Sequence, residues 1–186
     1  MNDDKVFEEN IHKISGKRIA KKIRKLVLGL HNFMDRLSVV KFILLATLLN
    51  IGIIIIISPL HIIYPIVDDY VQPTIFGGNI FGVVVVAPIW ETFAFQTIPL
   101  FILGGIRSDE ERIRFSSIIV SAFLFGGIHY LDYYYSFIKF ISTFLMGVVL
   151  AYAYELYYYK GRKPYLITAL IHSLTNLVFL LPTLLM

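Results

Sequence analysis

The stretch FILLATLLNIGIIIIISPLHIIYPIV, residues 42–67, contains no Asp, Glu, Lys or Arg. It is longer than the roughly 20 residues that carry an α-helix across the hydrocarbon core of a bilayer. A second such run extends from Pro164 to Met186. Lipid is therefore the solvent these segments are built for. The composition agrees: 57% of the 186 residues are hydrophobic and the mean hydropathy is +0.72, above the roughly 45–50% apolar content of soluble domains.

Working outward from the first run, apolar lengths predict an all-α, polytopic transmembrane bundle of about five spans: Val39 to Ser58, Ile80 to Gly104, Ile113 to Leu131, Phe137 to Tyr157 and Pro164 to Leu185. Charge gives this an orientation. With the N-terminus in the cytoplasm, the inner segments collect ten Lys and Arg up to Lys41, then Arg107, Arg112 and Arg114, then Lys160, Arg162 and Lys163. Only Lys139 falls outside, which is the bias expected of cytoplasmic loops. A multi-pass protein of the cell membrane follows. The segment Pro59 to Gly78 is long for a connection and is expected to hold a short interfacial or re-entrant helix.

Residues 1–38 are expected to form a basic cytoplasmic or interfacial segment, and 39–186 the membrane domain. In HKISGKRIAKKIRKLVLGLHNFM, His12 to Met34, basic and aliphatic residues alternate at near-helical spacing, as in a helix on anionic lipid or an ordinary positive flank. Membrane lipids are the expected partners of this segment. Nucleic acid is not, because topology already explains the charge. Polar residues precede the first apolar run, so no cleavable signal is expected. The chain has no cysteine, which excludes disulfides, thiolate metal sites and cysteine nucleophiles.

Ionisable groups within spans cost about 2.5–3.5 kcal/mol on insertion scales and usually face a bundle interior. Three stand out: Glu91 in FGVVVVAPIWETFAFQTIPLF, His129 in SAFLFGGIHYL and His172 in ITALIHSLTNLVF. Asn176 follows His172 by four residues and shares its helix face. Counted from the cytoplasmic ends at about 1.5 Å per residue, the four lie roughly 20, 24, 12 and 18 Å deep, within one slab. Pro88, lacking an N–H, is expected to free the carbonyl of Val84 and loosen the helix near Glu91. Gly126, three residues before His129, is expected to admit a neighbouring helix closely. Thr143, Gly147 and Ala151 form a small-residue packing face. Glu155 is expected to snorkel to the cytoplasmic surface. Tyr152, Tyr154 and Tyr157 to Tyr159 read as an interfacial aromatic belt.

These motifs resemble the CPBP family, the CAAX prenyl protease and bacteriocin-processing membrane proteins, also called the Abi family. Its pattern is E-E-x-x-x-R, then F-x-x-x-H, then H-x-x-x-N. Here Glu91-Thr92 through Gln96, Phe125 through His129 and His172 through Asn176 stand in that order. Thr92 and Gln96 replace the family's second glutamate and its arginine, so an acid and a base are lost together. The resemblance covers about Val83 to Phe179. It implies an intramembrane endopeptidase acting on a membrane-associated protein or peptide. Glu91 would act as general base on a water also held by His129, His172 and Asn176 would donate to the oxyanion, and Thr92 and Gln96 would face substrate. Zinc is possible, with Glu91, His129 and His172 as its ligands. However, no H-E-x-x-H helix is present, which favours a metal-free glutamate mechanism. The rival readings are a non-catalytic bacteriocin-immunity or scaffold protein of the same family and, less favoured, a small transporter or proton relay.

Overall fold

In the computed structural model, residues 21–63, 79–104, 115–132 and 136–184 are described, and every element among them is a helix. Internal contacts divide the chain into two units, Met1–Ser38 and Val39–Met186. In the first unit, helix α1 covers residues 21–35. It exposes Ile23, Leu26, Leu30 and Phe33 among Lys21, Lys22, Arg24 and Lys25, the composition of a helix suited to a lipid surface.

The second unit contains α2 (Val39–Ile63), α3 (residues 82–104), α4 (Phe115–Asp132), α5 (Phe137–Tyr159) and α6 (Pro164–Leu184). Among the described residues, four helical stretches are long and apolar enough to cross a membrane: Val39–Leu60, Gly82–Leu103, Phe137–Tyr159 and Pro164–Leu181. In α4 the apolar stretch Phe115–Leu131 is shorter. The chain is thus an all-α, multi-pass membrane protein, with five apolar helices among the described residues of this unit. Leu44, Leu48, Ile55, Ile56, Phe101 and Phe123 point outward and stay exposed, as helices facing lipid require.

Two details depart from expectation, and a third expectation falls outside the described residues. Helix α2 continues through Pro59 to Ile63 instead of ending before the proline. A proline inside a helix takes the usual N–H donor from the carbonyl four residues back, here Ile55, a change that membrane helices tolerate. The interfacial helix expected before Gly78 lies, beyond Ile63, outside the described residues. Finally, Glu155 does not snorkel. It is buried, as are Tyr154 and Tyr157, because this face of α5 turns into the bundle. There Tyr157 packs edge-on against Phe42 of α2, with centroids 5.0 Å apart, and Tyr154 joins Leu100, Ile118 and Ala151 in a core cluster.

Small residues set how closely α4 and α5 approach. A Cβ on Gly126 would lie 3.0 Å from the Cβ of Phe144 and 3.2 Å from the carbonyl oxygen of Phe140. One on Gly147 would lie 3.0 Å from the Cα of Ala122 and 3.2 Å from the Phe125 ring. Since Ala122 Cα is backbone and cannot yield, Gly147→Ala is expected to cost about 1–3 kcal/mol by overpacking. Thermal unfolding in detergent would show a lowered midpoint, and an unchanged midpoint would contradict the packing described.

The turn into α6 is short and specified locally. Gly161, at φ +62°, closes α5 with Gly161 N–H donating to Tyr158 O and Arg162 N–H to Tyr157 O, 3.1 and 3.0 Å. This pair of bonds needs the left-handed conformation that glycine adopts without strain. Pro164 then opens α6 at a position where no N–H is required.

Candidate active site

The backbone of α3 is irregular for a reason written in its two prolines. Over Gly82–Val86 and again over Thr92–Thr97 the turns widen, so that Ala87 N–H donates to Gly82 O and Ile98 N–H to Phe93 O. In this wide register the next donor after Ala87 would be Pro88, which has none. The stranded carbonyl is therefore Val83, one residue before the Val84 expected from ordinary helical spacing. The amide of Asn176 in α6 fills the gap, its Nδ2 donating to Val83 O at 2.9 Å. At Pro99 the carbonyl taken up by a side chain lies four residues back, not five. Phe95 O, one helical turn before it, accepts from Ser121 Oγ of α4 at 2.6 Å. Tyr165 of α6 adds a third tie, its hydroxyl donating to Ile89 O at 2.9 Å. At the start of the helix, Gly82 N–H bonds to Asn79 Oδ1, a cap. Glu91 ends the short regular stretch Ala87–Glu91 between the two wide turns. Side chains from α4 and α6 thus hold its helix in place on both sides.

Around Glu91 the structure gathers the two span histidines. His172 Nε2 lies 3.6 Å from Glu91 Oε2, and His129 Nε2 lies 3.9 Å from the same oxygen. Neither separation is a direct hydrogen bond. At these separations no oxygen fits between the paired atoms, so a water bonded to the carboxylate and an imidazole would sit beside the line that joins them. Glu91 and His129 retain 20% and 17% side-chain exposure whereas His172 keeps 3%, so the carboxylate and one imidazole are reachable and the other imidazole forms the back wall.

The two rings offer different chemistry to that carboxylate. His129 Nδ1 is 2.8 Å from Phe125 O, and a carbonyl only accepts, so Nδ1 carries a proton. In the neutral ring Nε2 then holds a lone pair. The i, i+4 spacing of F-x-x-x-H is thereby explained: the motif's phenylalanine supplies the carbonyl that sets the tautomer of its histidine. Its ring supplies a wall as well. Phe125 is almost wholly buried, with centroids 4.6 Å from His129 and 5.6 Å from His172.

Thr92 and Gln96 are completely buried. Thr92 Oγ1 and both amide atoms of Gln96 have no hydrogen-bond partner among the described residues. Asn176 is tied to α3 by its bond to Val83 O, which commits one of its two amide N–H groups. Ser121 and Tyr165 were not singled out from sequence. Pro99 inside an apolar run was the available signal for Ser121, since each such proline strands a carbonyl that some side chain must satisfy.

A zinc ion would draw on Glu91 and the two Nε2 atoms. A ligand imidazole normally donates its other N–H to an acceptor that fixes the ring. His129 does so, but His172 Nδ1 has no hydrogen-bond partner among the described residues. No set of three His, Asp or Glu side chains among those residues is arranged to hold a metal ion. Among the described residues the donor set does not fit zinc.

A model of the Rce1-like type II CAAX prenyl endopeptidase family matches residues 73–178. The chain belongs to this family. The matched range takes in α3, α4, α5 and α6 as far as Val178, and with them Glu91, His129, His172 and Asn176. Helix α2 lies outside it. No curated protein and no solved structure matches the chain. Membership places this Rce1-like protein among membrane hydrolases of the CAAX-protease type.

Proposed function

We propose that this chain is an intramembrane endopeptidase that hydrolyses a peptide bond in a membrane-associated protein or peptide. The observation that carries the reading is the convergence of His129 and His172, from two helices, on one oxygen of Glu91 from a third. A water beside that oxygen donates one hydrogen to the carboxylate and the other to the lone pair of His129 Nε2. Its own lone pair is left free to attack the scissile carbonyl carbon. As the C–O bond forms, Glu91 takes the proton and later passes it to the leaving amine. His172, donating through Nε2, and the second N–H of Asn176 stabilise the oxyanion.

The experiment compares membrane and released peptides from cells carrying wild type, Glu91→Ala and His172→Ala. A product absent in both variants identifies the substrate, and no difference between the three overturns the reading. Turnover is expected to persist in the presence of a zinc chelator. Loss with chelator and recovery with zinc would restore a metal mechanism. One feature favours a second reading, a non-catalytic immunity or scaffold role: Thr92 and Gln96 stand where the family pattern has an acid and a base. Full biological activity of Glu91→Ala would select it.

A further inference from the structure

The buried face of α6 carries more polar groups than the site has used. Thr168, His172 and Thr175 recur at helical spacing and are 0%, 3% and 0% exposed. Across from them on α2 stand Thr47 and Asn50, 6% and 0% exposed. The two helices run the same way, since Val39 and Ile43 share a cleft with Lys163, Leu166, Ile167 and Leu170. Their register is pinned by Asn50 Nδ2 donating to Thr175 Oγ1 at 3.3 Å, while Thr175 Oγ1 donates to Ile171 O at 2.8 Å.

Stepping back three residues on each helix from that bond sets Thr47 beside His172, and Thr168 lies one turn below His172 on its own face. All three keep a polar atom without a hydrogen-bond partner among the described residues: Thr47 Oγ1, Thr168 Oγ1 and His172 Nδ1. Two hydroxyls and one imidazole nitrogen, buried within one turn of each other in an apolar bundle, form a polar pocket of the kind that bound water satisfies.

We propose that Thr47 and Thr168 hold His172 Nδ1 through a shared buried water, keeping the ring's proton on Nε2, where it faces Glu91. With the hydroxyls donating to this water its hydrogens are left to give, and Nδ1 receives one. The lone pair thus stays on Nδ1 and the donor stays towards the reacting oxygen. Thr47 and Thr168 are positioning residues, and α2, outside the matched family range, becomes part of the catalytic apparatus. Among the described residues, Glu91 faces His172 directly and His129 meets the same carboxylate oxygen. The catalytic half of this proposal rests on the endopeptidase reading, while the tautomer half does not.

The test uses the full-length protein in detergent with 15N-labelled histidine, the His172 signal being assigned by its loss in His172→Gln. Wild type is expected to show an Nε2–H ring. Thr47→Val combined with Thr168→Val is expected to shift it to Nδ1–H or a mixture, and Thr47→Ser to retain the wild-type signal. On an identified substrate the double variant loses about 10- to 100-fold in kcat with little change in KM, the scale seen when a supporting hydrogen bond behind a working imidazole is removed. If the hydroxyls are merely unpaired, the valine variant keeps the wild-type ring signal and kcat and unfolds at a higher temperature. That result overturns the proposal. A wild type without turnover on any peptide, but with the tautomer shift present, overturns the endopeptidase reading and leaves the buried water site standing.

Discussion

Glu91→Gln is expected to lower kcat by about 10²–10⁴-fold, the usual contribution of a positioned general base, while the protein stays folded. The amide has the size and shape of the carboxylate, so packing around Ala87–Glu91 is undisturbed. A neutral side chain is also cheaper to hold inside a span than a charged one. Expression and unfolding temperature should therefore equal or exceed those of wild type. The pairing of lost turnover with retained stability is the signature sought, read by mass spectrometry of the product in liposomes alongside a thermal scan. A loss below about tenfold would remove Glu91 from the role of base. Because base and water-holding imidazole act as a unit, adding His129→Ala to Glu91→Gln should cost little more.

Phe125→Ala is expected to damage stability and activity together. The ring is about 1% exposed and touches the Phe95, His129 and His172 rings at 6.0, 4.6 and 5.6 Å. Truncating a buried phenylalanine costs about 3–5 kcal/mol in water-soluble cores. In lipid the transfer part shrinks, since the alternative environment is also apolar, and about 3 kcal/mol is expected from lost packing and aromatic contact. Both imidazoles lose their common wall, so kcat falls even at temperatures where the variant is folded. Phe125→Leu refills most of the volume and should recover stability ahead of turnover. Equal recovery of both would mean that the ring only fills space.

How far the sequence could be read depended on the kind of signal. Apolar length identified the helices because spanning a bilayer demands it of each segment separately. Glu91, His129 and His172 stood out because a charged or ionisable group in lipid is costly wherever it occurs. Inward and outward orientation was harder to read. Glu155 and Tyr157 look like interfacial residues by composition, yet both are buried, and only the neighbours of α5 decide that. Val84 was the reasonable choice for the carbonyl freed by Pro88 under ordinary helical spacing. The wide turn moved the vacancy to Val83, and the Asn176 amide then had an acceptor.

By itself, then, the sequence determined that this is a helical membrane protein and which ionisable groups its spans carry, since both follow from the cost of placing particular residues in hydrocarbon. Only the tertiary structure decided that Glu91, His129 and His172 meet at a single carboxylate oxygen. It alone also decided that Ser121, Tyr165 and Asn176 steady the helix between them. Those outcomes depend on where unsatisfied carbonyls on one helix find donors on another, and that pairing exists only after the helices have packed.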